Sequence, residues 1–372
     1  MQKVPALGIL IILLAATSAA ALVSVENLNR LNIAETQLWD PALSPDGTKI
    51  AYVAYDDANN QQVFLINADG TGGRKLTGDV NKKWGIAWGP DKIAYVSFGK
   101  DGLEKIFVMN PDGTGNKQLI PDNTRQGKSA GDAPPVWAAP SWSPDGKSLV
   151  YTSLDEKMDP KMYMVNSDGT GKRAVFNDPS KQWSPYISPD GKNIVYASYN
   201  DRSKEELFIV DVNGTSKRQI TSDEIKKNYP VWGPDGTITY VSYENLTSSG
   251  EKIFAIDQDG TNKRLFVDGD YRQRSPSFSS DGRKFSYAGI DPSGIVKITI
   301  GDTAGITATP APTVTTPAAT TQAVTKTVRP TPIATGTPAA GGVDLTTMLL
   351  MLVIIAIVLL AILIIANNLS KK

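Results

Sequence analysis

Short apolar runs alternate with polar turns along the chain between residues 28 and 302. Runs such as Ile50-Ala51-Tyr52-Val53 carry apolar side chains at successive positions and are bounded by turns that contain Asp and Gly. A short, continuous apolar run of this kind predicts a strand that is buried on both faces, as between two neighbouring sheets. We therefore predict an all-β body for this part of the chain.

The turns recur at a regular spacing. The sequence Ser-Pro-Asp-Gly begins at Ser44 and returns, in full or with changes, at positions 89, 143, 188, 233 and 279, so that the intervals are 45, 54, 45, 45 and 46 residues. A repeat of this length with strand-like content is typical of a β-propeller. In each unit a second turn and a short strand with basic residues, such as Arg74 and Lys75, follow the apolar strands. Basic residues protect a sheet edge, and we expect these to be solvated.

The sixth unit lacks its outermost strand before the composition changes. The beginning of the body supplies a candidate, because Leu31 precedes Trp39 by eight residues, as Leu76 precedes Trp84. Residues 29–33 are therefore predicted to form the outer strand of the last blade. This pairing would close the ring and leave no open end, which is how repeated sheets avoid exposed edges.

The repeated run Pro-x-aromatic-Ser-Pro-Asp-Gly, followed by a strand with a central Tyr and by Asp-Gly-Thr, resembles the TolB-type propeller repeat. The resemblance covers residues 28–302 and recurs six times. It implies a six-bladed β-propeller of four-stranded blades, usually a binding platform. TolB proteins carry an additional N-terminal α/β domain, and this chain has no counterpart of it in its sequence before residue 28.

The two ends of the chain predict export and anchoring. Residues 1–21 read as a secretory signal peptide, with a basic start, an apolar run and small residues; an uncleaved anchor is the alternative. Residues 303–344 are rich in Thr, Pro and Ala, which predicts an extended stalk, either glycosylated or plain. Residues 345–366 are apolar and uncharged, which predicts one transmembrane helix, and residues 367–372 a short cytoplasmic tail. We expect a single-pass protein of the cell membrane with its propeller outside, a layout similar to that of archaeal surface proteins.

Composition restricts the chemistry. The chain has 38 basic and 38 acidic residues, and neither His nor Cys. Zero net charge gives no reason to expect nucleic acid as a partner, and the usual general base and thiolate nucleophile are missing. The sequence Gly127-Lys128-Ser129-Ala130-Gly131 has the form of a nucleophile elbow but lacks a His partner. We expect no enzyme activity and no cofactor.

A ring of positions is the main functional clue. The residues five positions before each first turn should rim one mouth of the central channel; they are Trp39, Trp84, Ala138, Trp183, Asn228 and Arg274, with Trp137 and Tyr229 one position away. The third unit also carries about ten extra residues before Ala138, and long insertions in compact folds are often functional. We predict that this rim binds a partner, the alternative being that the Trp side chains pack between blades.

The sequence thus predicts a non-catalytic binding or scaffold protein at the cell surface, with a protein or a glycan as its partner. Two alternatives remain: an enzyme acting on polysaccharide and a purely structural component of the cell envelope. For the enzyme, the acidic candidates lie on loops: Asp56, Asp57, Asp155, Glu156 and Asp201. Asn213 and Asn245 begin glycosylation sequons, so the protein is also a possible glycoprotein.

Overall fold

The computed structural model describes residues 24–34, 37–122, 124–126, 139–245, 250–270 and 272–304. These residues form twenty-four strands in six four-stranded sheets, which confirms the predicted six-bladed propeller. The predicted signal peptide, transmembrane helix and tail, and all of the stalk beyond residue 304, lie outside the described residues. Within the described part, no helix is long and apolar enough to cross a membrane.

The first strand, β1 (Ser24–Arg30), belongs to the last blade, and the other strands follow the chain from the channel outwards. Blade 1 consists of β2 (Leu38–Leu43), β3 (Lys49–Tyr55), β4 (Gln61–Asn67) and β5 (Arg74–Lys75). Blade 2 consists of β6 (Lys83–Trp88), β7 (Ile93–Phe98), β8 (Glu104–Met109) and β9 (Lys117–Gln118). Blade 3 consists of β10 (Ser141–Trp142), β11 (Ser148–Leu154), β12 (Pro160–Asn166) and β13 (Arg173–Ala174).

The second half of the ring repeats this order. Blade 4 consists of β14 (Gln182–Ile187), β15 (Asn193–Tyr199), β16 (Glu205–Asp211) and β17 (Arg218–Gln219). Blade 5 consists of β18 (Lys227–Trp232), β19 (Ile238–Tyr243), β20 (Glu251–Ile256) and β21 (Arg264–Leu265). Blade 6 consists of β22 (Arg272–Phe278), β23 (Lys284–Ile290), β24 (Val296–Ala304) and, outermost, β1.

This strand order gives the propeller two different faces. The loops between the second and third strands, and the connectors from one blade to the next, lie on one side, which we call the connector face. The Ser-Pro-Asp-Gly turns and the Asp-Gly-Thr turns lie on the other side, which we call the turn face. Ser24 pairs with Ala304, so the described chain enters and leaves the propeller side by side on the turn face.

The predicted closure of the ring is confirmed, with a shift in the bounds of the closing strand. Asn29 pairs with Ile300 and Arg30 with Thr299 across β1 and β24. The strand begins at Ser24, earlier than the predicted residue 29, because β24 is nine residues long and offers partners back to Ala304. Beyond Arg30 the N–H of Leu31 still donates to the carbonyl oxygen of Ile298 at 2.9 Å.

The core consists of six apolar clusters, one at each junction between neighbouring blades. In the cluster between blades 2 and 3, for example, Ile106 and Val108 pack with Leu149 and Tyr151. The central Tyr of each second strand is at most 1% exposed; the six are Tyr52, Tyr95, Tyr151, Tyr196, Tyr240 and Tyr287. Apolar residues on both faces of the second strands are needed because each of these strands is covered by a blade on either side.

Five junctions also enclose a lysine, and three of them share one arrangement. In these three the lysine is on the third strand and a Gln lies at or near the start of the next inner strand; the pairs are Lys105 with Gln126, Lys161 with Gln182 and Lys252 with Gln273. The Lys161 ammonium group donates to the carbonyl oxygens of residues 178, 179 and 180 in the connector at 2.7–2.9 Å. The Oε1 atom of Gln182 accepts from the N–H of Met162 at 3.1 Å.

The other two lysine junctions reverse the order. Here the lysine begins the next inner strand, as Lys83 opposite Gln62 and Lys227 opposite Glu206. The Lys227 Nζ and Glu206 Oε2 atoms are 2.8 Å apart, and both side chains are fully buried. Thr221 replaces the missing Gln oxygen, since its Oγ1 accepts from the N–H of Leu207 at 2.9 Å. A cation thus bridges the blades whichever side supplies it; Lys83, Lys105 and Lys227 are buried, and the other two lysines are partly buried.

The basic residues of the outer strands are largely exposed, as predicted, and two neighbouring lysines also pair with Asp residues of the preceding connector. Lys172 lies 2.6 Å from Asp122, and Lys217 lies 2.8 Å from Asp178, in each case an Asp of the preceding connector. The Lys217 ammonium group also lies 4.9 Å from the ring centroid of Phe208. These cations therefore join neighbouring blades in addition to covering the edge strand.

Candidate binding surfaces of the propeller

Five of the six inner strands contain a β-bulge at the same place. The register shifts by one residue between Trp39 and Ala42 in blade 1, and at the equivalent positions of blades 2, 4, 5 and 6. The bulge residues have φ between 49° and 60°; they are Asp40, Gly85, Ser184, Tyr229 and Ser275. Only Gly adopts this left-handed conformation without strain, and strain of this kind occurs mainly where the surrounding structure holds a functional geometry.

A proline follows the bulge residue in four of these five strands, as Pro41, Pro185, Pro230 and Pro276. A proline has no N–H to donate to a strand partner, and a bulge leaves one residue unpaired, so the two features fit one position. The inner strand has no neighbour on its channel side. Its bulge therefore turns one residue per blade toward the central channel.

These residues line a central cavity of about 900 Å³. The cavity extends from the ring of bulge residues to the first turns of the blades, including Pro144, Pro189 and Pro234, and so reaches the turn face. Its aromatic wall includes Tyr186 and Tyr229. Burial raises the pKa of Tyr186 to about 12, so this hydroxyl stays protonated at neutral pH.

Three predicted rim residues, Trp39, Trp84 and Trp183, occupy the position just before the bulge. Each packs on the aromatic ring that ends the second strand of its own blade, with ring centroids 5.3, 5.5 and 5.0 Å apart; the partners are Tyr55, Phe98 and Tyr199. Trp84 is 9% exposed, whereas Trp39 and Trp183 are partly exposed on the connector side. The cavity is lined by the residues that follow them. Their role in binding a partner stays a prediction.

The remaining predicted rim residues occupy different surroundings. Tyr229 lines the cavity, while Asn228 is 4% exposed and lies outside its lining. Arg274 is bound to Glu251, with Nε and Oε2 2.5 Å apart. Trp137 and Ala138 lie outside the described residues, as does the elbow-like sequence of residues 127–131.

Blade 3 shows where the extra residues enter the fold. Gln126 bridges to Ser153 just as Gln182 pairs with Ser198 in blade 4. Gln126 therefore corresponds to the first residue of the inner strand in blade 4, whereas the named inner strand of blade 3 begins at Ser141. The insertion leaves and rejoins the propeller at the place where the other blades carry their rim residues.

Exposed apolar side chains are concentrated on the connector face. Of the large hydrophobic side chains exposed in the described part, four lie on loops or strand ends of this face; they are Val80 (79% exposed), Met158 (59%), Tyr199 (37%) and Ile295 (48%). Two others, Leu28 and Leu265, lie on outer strands, and none lies on the turns of the opposite face. Scattered apolar residues are ordinary on a protein surface; these four share one face but lie in different parts of the ring.

Asp40 is the charged group at the inner end of the cavity. Its Oδ2 accepts from the N–H of Gly85 at 2.8 Å and its Oδ1 from the hydroxyl of Ser275 at 3.0 Å, so this one carboxylate joins blades 6, 1 and 2. Desolvation raises the pKa of Asp40, opposed by the two hydrogen bonds and by the charge of Arg274. The sequence contained one signal for Asp40: it is the residue before Pro41, at the point where Pro recurs in the repeats.

The acidic loop residues show no shared centre. Asp56 accepts from the N–H of Asn60 at 3.0 Å and from Lys75 at 3.0 Å, and Asp155 accepts from two N–H groups of its own loop. They therefore organise separate loops in different blades. Within the described residues no three Asp or Glu side chains lie close enough to share a metal ion. Both sequon residues, Asn213 and Asn245, are exposed, the first on the turn face and the second on the connector face.

The comparisons with known proteins agree with this fold. Residues 126–245 match the family described as TolB beta propeller domain. TolB from Acinetobacter baumannii is similar in structure with a TM-score of 0.54 and 20% identity, covering 69% of this chain and 65% of that protein. A protein assigned as TolB from Agrobacterium tumefaciens has a TM-score of 0.53 and 17% identity, covering 72% and 90%.

Enzymes are also among the similar structures. The tricorn protease has a TM-score of 0.53 and 16% identity, over 71% of this chain but 26% of the protease. At such identities the likeness shows the fold alone. No curated protein matches the chain with significance. Residues 126–245 thus carry TolB-type propeller repeats, within a six-bladed propeller.

Proposed function

We propose that this protein is a non-catalytic, membrane-anchored binding protein of the cell surface that docks a protein partner on its connector face. The observation that carries the proposal is the concentration of exposed apolar side chains on this face. Partner surfaces commonly expose such side chains, because covering them with another protein removes apolar area from water.

The spacing of these side chains favours a protein over a glycan. Val80, Met158, Tyr199 and Ile295 belong to four different parts of the ring, so one occupant that covers them must extend over much of the face. Tyr199 packs against Trp183 with its ring tilted by 58°, which adds a partly exposed aromatic pair of the kind that dominates many interfaces. The insertion at residues 127–138 enters the fold on the same side.

The position of the chain ends supports the same orientation. The described chain enters at Ser24 and leaves at Ala304, both on the turn face. The predicted stalk follows Ala304 in the chain, and the connector face is the face opposite this point of exit. The absence of His and Cys from the whole sequence supports the non-catalytic part of the proposal.

The test is cross-linking on intact cells with a photoreactive residue placed at Met158 in the full-length chain, followed by identification of the captured protein. We expect one protein to be captured at this position and to be lost when Val80 and Tyr199 are replaced by Lys. The matched control replaces Leu28 and Leu265, equally apolar and exposed on the outer strands, by Lys; capture should persist.

Three results would contradict the proposal. Capture that is lost equally in the outer-strand control would place the partner at the blade edges. Saturable binding of a purified polysaccharide that the connector-face variant abolishes would make a glycan the partner. Depolymerisation of a polysaccharide by the purified chain would show that the protein is an enzyme.

A further inference from the structure

We infer that the central cavity is a second binding site, which takes an alkylammonium group with Asp40 as its counter-ion. The site opens on the turn face, so it is separate from the proposed docking surface. Of the described residues that line the cavity, the charged ones are Asp40, Asp145, Asp190 and Asp235, and no Lys or Arg is among them. Lys147 and Lys192 stand beside two of these Asp residues at the outer turns, at 3.5 and 3.9 Å.

Asp40 is held in place by two hydrogen bonds, and Arg274 is the cation whose charge acts on it. The hydrogen bonds from Gly85 and Ser275 orient both carboxylate oxygens, and Asp40 is a half-buried residue of the cavity lining. Arg274 divides its charge, because it also pairs with Glu251. Each carboxylate oxygen has two lone-pair sites, so each can accept one further N–H. A cationic donor in the lumen would supply both further positive charge and these bonds.

An independent observation lies across the channel. Ser184 is the bulge residue of blade 4, which stands opposite blade 1 in a ring of six. It is 4% exposed and lines the cavity, yet its Oγ has no hydrogen-bond partner among the described residues. Leaving a buried hydroxyl unpaired costs about 1–3 kcal/mol. A ligand with a second N–H donor that reaches this hydroxyl would remove the cost.

The rest of the wall suits an alkyl chain and disfavours an anion. Pro41, Pro185 and Pro230 line the lumen beside the bulge residues, and they offer no backbone N–H to an anionic ligand. The rings of Tyr186 and Tyr229 belong to the same wall, and aromatic faces attract alkylammonium groups. The ligand chemistry is therefore a flexible amine, either a free polyamine or a lysine side chain of a partner.

The experiment titrates the purified full-length chain with 1,6-diaminohexane and with the peptide acetyl-Gly-Lys-Gly-amide, using calorimetry. The diamine represents a free amine, and the peptide represents a partner's lysine. Hexane-1,6-diol, which has the same length without charge, is the control ligand. We expect saturable binding of at least one amine and none of the diol.

Two variants decide the assignment. Asp40→Asn keeps the shape, since its oxygen accepts from Gly85 and its amide donates to the Ser275 hydroxyl, and it should weaken amine binding about tenfold or more. Ser184→Ala removes only the unpaired hydroxyl and should weaken binding without lowering stability. Asp69→Asn, which removes an exposed carboxylate from a second turn of the turn face, should leave affinity within about twofold.

The inference is overturned if neither amine binds, if the diol binds as well as the diamine, or if Asp40→Asn and Asp69→Asn weaken binding equally. If Asp40→Asn fails to fold, Ser184→Ala carries the test, and unchanged affinity in that variant overturns the inference. The docking experiment on the connector face is unaffected by either variant, so failure of this site and failure of the proposed function can be told apart.

Discussion

Ser275 donates a hydrogen bond from Oγ to Oδ1 of Asp40 at 3.0 Å, although the two residues lie 235 positions apart in the chain. Ser275 belongs to the last blade and Asp40 to the first, so the bond crosses the junction at which the ring closes. The same junction holds β1 on the outer edge of blade 6. Ring closure is therefore supported both at the central channel and at the outer edge of blade 6.

The closing strand should contribute strongly to stability. Leu31 is 2% exposed and packs in the cluster between blades 6 and 1, so Leu31→Ala should lower the free energy of unfolding by about 2–5 kcal/mol. Leu28 lies in the same segment but is 43% exposed, and Leu28→Ala should change it by about 0.5 kcal/mol or less. Urea unfolding measures both. Equal effects of the two substitutions would mean that the closing strand does not anchor the ring.

The reversed lysine junctions predict that the lysine can be moved to the other side of a junction if its partner residues are exchanged with it. Lys227→Met leaves the buried Glu206 without its cation and should cost about 3–5 kcal/mol. The triple change Glu206→Lys, Lys227→Gln and Thr221→Val installs the arrangement of the other junctions and should recover most of that loss. Thermal unfolding of wild type, single and triple variants provides the measurement. A triple variant no more stable than Lys227→Met would show that the two arrangements are not equivalent.

Asp40 should make stability depend on pH in an unusual direction. Desolvation raises its pKa above 3.8, so the folded state holds this proton more tightly than the unfolded chain. The contribution of Asp40 to stability is therefore full at low pH and is lost as pH rises through the raised pKa. The groups that act on this titration are Arg274, Tyr229 and, through Arg274, Glu251.

Unfolding free energies of wild type and Asp40→Asn between about pH 3 and pH 7 test this direction. The stability of wild type relative to the variant should fall as pH rises. Asp211 provides a control of opposite sign, because hydrogen bonds from Thr215 and Ser216 lower its pKa. Relative to Asp211→Asn, wild type should gain stability as pH rises above the lowered pKa. A constant difference for Asp40→Asn would contradict the prediction.

The repeat pattern was sufficient to predict the architecture. Spacing of the Asp-Gly turns gave the number of blades, and the eight-residue offset between Leu31 and Trp39 identified the closing strand. Both follow from local rules, since turns need residues that tolerate positive φ and an outer strand keeps a constant distance from the next blade.

The sequence predicted which strands line the channel, but the residue of each strand that faces it was predicted one position too early. A strand alternates its side chains between two faces, so the single extra residue of each bulge moves the channel-facing position from Trp39 to Asp40 and from Trp183 to Ser184. Locally, only its place before the recurring Pro, here Pro41, distinguishes Asp40 from the other acidic residues of the chain. Its importance comes from Gly85 and Ser275, which only the closed ring brings to it.

What the chain determines alone is thus the set of blades and their order, because strands and turns depend on neighbouring residues. What the tertiary structure decides is which side of a junction supplies the buried lysine, which face exposes apolar side chains and which residues meet across the channel. These depend on contacts between residues far apart in sequence, such as Lys227 with Glu206 and Asp40 with Ser275, whose energies arise only when the blades exclude water from between them.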